Sequence, residues 1–358
     1  MSGRLSLSLP AGRPLLWAAL ALLAALPLAA PAAAQQGGAA TGPRRPPAAR
    51  VTGPHAPGWE RGLPYFTSRF GPRDYDAHMQ NWAVAQTPDG VVWVGNTTGL
   101  LRYDGVHWRH VSLPGGAAGT VRSLSVDARG RLFIGGVGTF GYVGADSVGA
   151  PRYIELAGPA TLSDDDVWAT VAAGGDVFFQ TFTHLYRFDG RNVRVAATAG
   201  ATEGMRFHKV FGVARPDGTT LYVREEGVGL LRYDRTRAAL VPVPGGGAYA
   251  VTKVFALLPG RNGGLIVGTP DHLEVLDARG TVRPLPMPAV DAVLQEYRLY
   301  DAADLGGGRF ALGTLGAGIY VVDRDGRTLA HYGEEVLMTG DDYVLDLAVD
   351  EAGGMWAA

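Results

Sequence analysis

Seven glycines divide this chain at nearly equal steps: Gly90, Gly130, Gly175, Gly218, Gly263, Gly307 and Gly353 lie 40 to 46 residues apart. Each sits in a version of one phrase. Its clearest copy runs from Trp82 to Val111: an apolar run, a turn at Asp89-Gly90, the run VVWVG, a turn at Gly99, the run LLRYD, a turn at Asp104-Gly105 and a closing aromatic run. Hairpin turns of this kind separate four short strands. A period of this length built from four strands, rather than from paired helices, is the signature of a β-propeller blade.

The strand chemistry supports that reading. Val91 and Trp93 point to one side of their strand and Val92 and Val94 to the other, so both faces are apolar. Such a sheet has to be sandwiched between neighbours. The expected fold is therefore all-β: a propeller of about seven four-stranded blades over residues 64–358, with the last blade incomplete at Met355-Trp356. The first inner strand of each repeat should lie nearest the axis. A strand left open there is an exposed edge, which natural β-proteins avoid, and the apolar stretch Tyr65 to Phe70 is the spare segment expected to lie near it. The chain reads as a fragment of a longer protein.

Residues 1–34 are of a different kind. Arg4 and Arg13 precede an apolar stretch from Leu15 to Leu28, and Ala32-Ala33-Ala34 follow. This pattern predicts a cleaved secretory signal peptide. Residues 35–63, rich in Gly, Ala, Pro and Arg, predict a flexible linker. Removing the signal leaves 30 basic against 34 acidic residues, the full chain having 32 and 34, so no nucleic-acid partner is implied. The absence of cysteine removes thiolate chemistry and cysteine metal sites, and suits an exported protein. No run after the signal is long enough to span a bilayer.

The stretch from Gly62 to Val111, GLPYFTSRFGPRDYDAHMQNWAVAQTPDGVVWVGNTTGLLRYDGVHWRHV, resembles the opening of bacterial sensor proteins built from two-component regulator propeller repeats. GRLFIGGVGTFGYVGADSVG extends the likeness into the second repeat. The resemblance implies a periplasmic, ligand-sensing propeller without catalysis of its own and without a cofactor. It also implies a triple-tyrosine domain, a membrane helix and an effector (histidine kinase, cyclase or LuxR-type regulator) that this sequence does not contain. The full-length protein would be anchored in the inner membrane through that missing region and could dimerise. The alternative is a secreted propeller enzyme such as a lyase or hydrolase; a third reading is a protein-interaction scaffold.

Other motifs read more plainly. Gly136 to Gly141 matches G-x-G-x-x-G, but no helical period follows it, so it predicts a turn between strands rather than a dinucleotide site. Asp323-Arg324-Asp325-Gly326 predicts a hairpin turn. His107 and His110 face opposite ways on a strand and cannot pinch one metal. The run Asp164-Asp165-Asp166 either offers oxygen ligands to calcium or solvates a loop, and no metal site is assigned.

Topology singles out one face. If each repeat starts at the axis, the links into the inner strands share a face with the turns of the Asn96-Thr97-Thr98 type. Propellers bind ligands around such a channel mouth. The residues expected there are Asn81, Trp82, Arg122, Asp166, Trp168, His208, Lys209, Lys253, Tyr297, Arg298 and Tyr343. They include both lysines of the chain, each followed by Val-Phe. Charged donors among aromatic faces suit a small polar molecule or an oligosaccharide; a merely water-filled pore would be polar as well.

Overall fold

In a computed structural model, the described residues are 68–111, 113, 119–156, 165–200, 206–333 and 343–358. The expected signal peptide, the linker, Tyr65 and Asp164 lie outside them. All seven ruler glycines adopt left-handed backbone, with φ between 64° at Gly307 and 121° at Gly218. A hairpin turn needs that conformation and only glycine adopts it freely, which is why the ruler is written in glycine.

The strands form six four-stranded antiparallel sheets, each in simple sequential order, and one two-stranded sheet. The blades cover residues 81–111, 121–155, 169–198, 207–242, 256–284 and 299–332. The structure therefore has six blades, not the seven expected. The seventh repeat supplies Leu347–Val349 paired with Met355–Ala357, two strands where each of the six blades has four. That hairpin nevertheless closes the ring, because its inner strand touches the inner strands of both the first and sixth blades.

The core lies in the seams between sheets. Ala85, Val91, Trp93 and Leu100 of blade 1 meet Val121, Leu132 and Ile134 of blade 2. On the other face of the same strand, Val92 and Val94 pack toward Ala348 and Trp356 of the closing hairpin. The two-faced reading of VVWVG thus holds residue by residue. Phe133 and Phe140 of blade 2 pack on Phe179 and Tyr186 of blade 3, and equivalent clusters fill each later seam up to Val344 and Leu347 against Ala311 and Ile319. Ser68 to Phe70 form no strand. Phe70 packs instead against Tyr103 and Trp108, in the cluster that also holds Trp356.

At the end of the second strand the seams are tight enough to require glycine. A Cβ on Gly95 would sit 2.7 Å from Val121 Cγ1, and one on Gly313 would sit 2.6 Å from Val344 Cγ1. Gly135 and Gly268 occupy the same register opposite Ala/Ser of their inner strands. Blades 3 and 4 break the rule with Gln180 and Arg224, both buried. Each fills its seam with a polar head bonded to backbone: Gln180 Nε2 donates to Thr181 O, and Arg224 Nε and Nη2 donate to Tyr249 O and Ala250 O.

Candidate ligand-binding mouth

The links into the inner strands and the second-to-third-strand turns do share one face. Thr97 N donates to Gln80 O, Val137 N to Thr120 O, Phe207 N to Phe182 O, and Glu226 N to Arg206 O; isolated bridges join Val137 to Asp166 and Leu315 to Tyr343. The G-x-G-x-x-G stretch is one of these turns and leads into the strand Phe140–Ala145, with no helix. Asp323 likewise caps a hairpin, accepting from Asp325 N and Arg327 N.

A device invisible in the strand pattern arranges the mouth. In four blades the pairing of the inner strand skips one residue at its start: Trp82, Arg122, His208 and Tyr300. Each is a β-bulge, which bends the strand and re-aims the extra side chain. Trp168 and Phe255 occupy the same register, because each precedes the first paired residue of its inner strand.

The re-aimed side chains touch. The Arg122 guanidinium lies 4.1 Å from the Trp82 ring centre and 4.8 Å from that of Trp168, held between the two indoles. Its Nη2 and Nε reach Asp166 Oδ2 at 3.1 and 3.2 Å. Trp82 Nε1 donates to Thr97 Oγ1 at 3.0 Å. Trp168 contacts Phe182 at 5.3 Å, and the Arg206 guanidinium lies over Phe182, also at 5.3 Å. Aromatic and cationic groups therefore form one continuous run from blade 1 to blade 4, Trp82, Arg122, Trp168, Phe182 and Arg206, stabilised where a cation meets a ring face by the ring quadrupole. Burial pushes the Asp166 carboxyl above the usual carboxylate range, although Arg122 pulls it back down. A second group follows: His208 meets Phe255 edge-on at 5.0 Å, and Phe255 meets Tyr300 at 5.6 Å. Burial, reinforced by Arg224, Lys253 and Lys209, pushes the His208 pKa down to about 3.

One residue deeper lie channel-side charges. Lys209 Nζ bonds Asp301 Oδ1 at 2.8 Å, Phe255 O at 3.1 Å and Tyr300 O at 3.4 Å. Burial opposes its charge, but Asp301 outweighs burial and holds the ammonium above the ordinary lysine range. Asp301 Oδ2 accepts from Leu347 N at 3.0 Å, and Asp346 Oδ2 accepts from Val84 N at 2.8 Å. Burial and the neighbouring Asp301 push the Asp346 carboxyl up to about 7.

Of the residues singled out by sequence, the structure joins Trp82, Arg122, Asp166 and Trp168 in one contact set and places His208 in the next. Lys209 is committed to Asp301 rather than offered at the surface. Asn81 accepts from Asn96 Nδ2 at 2.7 Å and donates to Tyr75 OH at 3.4 Å, bonds that fix the turn. Arg298 lies 3.9 Å from Asp271, with φ at 54° after the helix Asp291–Tyr297. Lys253, Tyr297 and Tyr343 are exposed on this face. Sequence reasoning missed Phe182, Arg206, Arg224, Phe255, Tyr300, Asp301 and Asp346, whose places at the mouth depend on strand register and on the closed ring. Among the described residues, no three His, Cys, Asp or Glu gather as metal ligands, and no helix is long and apolar enough to cross a membrane.

A scan against protein-family models and a search of curated proteins each found no match. Solved structures are similar in fold. The extracellular domain of BT4673 from B. thetaiotaomicron, described as a one component system and also as a hybrid two component system, superposes with a TM-score of 0.59 at 18% identity. That match covers 78% of this chain and 37% of the other, so this chain spans little more than a third of that domain. Virginiamycin B lyase from Staphylococcus aureus gives 0.57 at 14% identity, over 78% of this chain and 91% of the lyase. The WD40 propeller domain of Doa1 gives 0.58 at 14%, over 78% and 90%. This chain is a β-propeller. At these identities the likeness establishes architecture, and function has to be argued from the site.

Proposed function

We propose that this propeller is the extracytoplasmic ligand-sensing domain of a bacterial signal-transduction protein, with a small polar molecule or an oligosaccharide seated at the channel mouth. The observation that carries the reading is Arg122 held between Trp82 and Trp168 with Asp166 beside it. Partly exposed indole faces offer stacking surfaces, and the guanidinium and carboxylate offer charge-assisted hydrogen bonds. The likeness to an extracellular domain of a signalling protein supports it. Export by residues 1–34, an inner-membrane anchor and a triple-tyrosine domain with a kinase, cyclase or LuxR-type effector complete the proposal.

The test is a thermal-shift screen of glycans and metabolites, followed by calorimetric titration of the strongest hit against wild type, Trp82→Leu and Trp168→Leu. Loss of one stacking face and its edge contacts should weaken binding by roughly ten-fold, the equivalent of about 1.4 kcal/mol. Unchanged affinity in both folded variants would remove the ligand from this mouth.

A secreted enzyme is the second reading, favoured by the lyase likeness and by one group on the same face. His272 Nδ1 lies 2.7 Å from Asp271 Oδ1 and Nε2 lies 3.2 Å from Glu274 Oε1. Burial opposes the imidazolium, but these two carboxylates outweigh it and raise its pKa, which suits a proton donor. Incubation with quinupristin, the compound bound to the inactive lyase variant, decides: a new chromatographic product lost in His272→Gln would establish this reading.

A further inference from the structure

At the seam where blade 4 meets blade 5, the glycine rule fails in an expensive way. Arg224 is 2% exposed, and the bonds its guanidinium makes are to two backbone carbonyls, Tyr249 O at 3.0 Å and Ala250 O at 2.7 Å. No carboxylate pairs with it among the described residues. A buried charge without a counter-ion is costly, so such a group either serves packing alone or waits for an anion.

Its surroundings decide between these. Glu226 N donates to Arg206 O and Gly227 N donates to Ala250 O, so the links carrying Arg206 and Lys253 flank the turn that follows Arg224. Arg206 and Lys253 are exposed and form no ion pair among the described residues. His208, two residues after Arg206, has its charge opposed by burial first and then by Arg224, Lys253 and Lys209. The carboxylates facing this group are Asp301, already bonded to Lys209, and Glu226, which is exposed and acts on Arg224 through space without an ion pair. Glu225 on the same turn is occupied by Gly200 N.

We infer that the mouth between blades 4 and 5 is an anion subsite, in which Arg224, Arg206 and Lys253 receive an oxyanion group of the ligand, a carboxylate or a sulfate, beside the Trp82–Arg122–Trp168 stack. The inference deepens the proposed sensing role and rests on it. It makes the ligand acidic rather than neutral: the stack holds a ring or plane, and the subsite selects its charged substituent. Arg224 supplies the fixed donor, preset by its two carbonyl bonds, while the exposed pair closes over the anion.

His208 provides a direct readout. Its imidazole resonance, identified by its loss in His208→Gln, is followed by NMR against pH in sodium chloride, sodium sulfate and sodium trifluoroacetate, a carboxylate that stays ionised through the His208 titration, at matched ionic strength. In wild type a bound oxyanion offsets the surrounding positive field, so sulfate or trifluoroacetate should raise the His208 pKa saturably. Whichever of the two acts at lower concentration tells the sulfate and carboxylate sources apart. In Arg206→Ala/Lys253→Ala the concentration needed should rise by roughly ten-fold or more, one charge-assisted hydrogen bond or better being lost. Both side chains are exposed, so this variant folds whatever Arg224 contributes. A saturable effect equal in wild type and variant, or none in wild type, overturns the subsite. Binding of a neutral hit from the screen to the same double variant is measured in parallel. If it persists while the sulfate result fails, the mouth reading stands and only its acidic selectivity is lost.

Discussion

Lys209 of blade 4 reaches past blade 5 to bond Asp301 of blade 6, with 2.8 Å between Nζ and Oδ1. Asp301 in turn holds Leu347 N of the closing hairpin, and Asp346 of that hairpin holds Val84 N of blade 1. A chain of three side chains thus ties blades 4, 6 and 1 to the two-stranded closure.

Removing the cation should therefore loosen closure. Lys209→Met leaves Asp301, 9% exposed, without its partner. Because the side chains of the pair are 27% and 13% exposed, the expected loss is roughly 1–3 kcal/mol rather than the larger cost of a fully buried pair. Urea denaturation measures it; Lys209→Met/Asp301→Leu should recover part of the loss, and a single variant as stable as wild type would contradict the linkage.

Two groups give opposing pH slopes. Asp346 titrates near 7 in the fold against 3.8 ordinarily, so between those values the folded state holds the extra proton and stability falls as pH rises. His208 titrates near 3 against 6.5, so the unfolded state holds the extra proton in that window and stability is lost as pH falls through it. Asp346→Asn should gain stability over wild type increasingly from about pH 4 to 7. His208→Gln should lose less than wild type on acidification below about pH 6.5. Denaturation midpoints across this range check both slopes.

The seam glycines give a packing test. Gly313→Ala would place a methyl 2.6 Å from Val344 Cγ1 and 3.1 Å from Val344 Cβ. Forced overpacking should cost about 1–3 kcal/mol. Gly247→Ala, with nothing within 4 Å of the new Cβ, is the control and should be neutral or slightly stabilising. Equal melting temperatures for the two variants would refute the close approach.

Arg122→Met should separate the stack from the fold. The methionine keeps apolar contact with both indoles but abandons Asp166, whose carboxyl, already raised by burial, should then rise further. Asp166 observed by carbon NMR should titrate at a higher pH than in wild type; an unchanged value would mean that Arg122 does not govern it.

The blade grammar was legible because it is local. A hairpin demands positive φ, glycine supplies it, and Gly90 to Gly353 could be counted directly. The two-faced apolar strands followed from alternation alone, as Val92 and Trp93 illustrate. The bulges were not legible: whether Arg122 or His208 is an extra residue depends on which partner carbonyl its neighbours find. Asp301 and Asp346 were hidden for a different reason. Nothing near them in sequence names Lys209 or Val84; only the closed ring brings them within bonding distance. Lys209 was readable as a mouth residue, but its commitment to Asp301 was not, nor was it legible that the two strands of the last repeat would bridge blades 6 and 1.

The bulges at Trp82, Arg122, His208 and Tyr300 separate two vocabularies that a regular strand would force to share residues. In an unbroken alternation each side chain faces one seam or the other, and changing one would disturb packing between sheets. An inserted residue owes nothing to either seam. Around this mouth, side chains can therefore be exchanged one position at a time, as on the wheels of a combination lock, while the frame that holds the wheels keeps its own text.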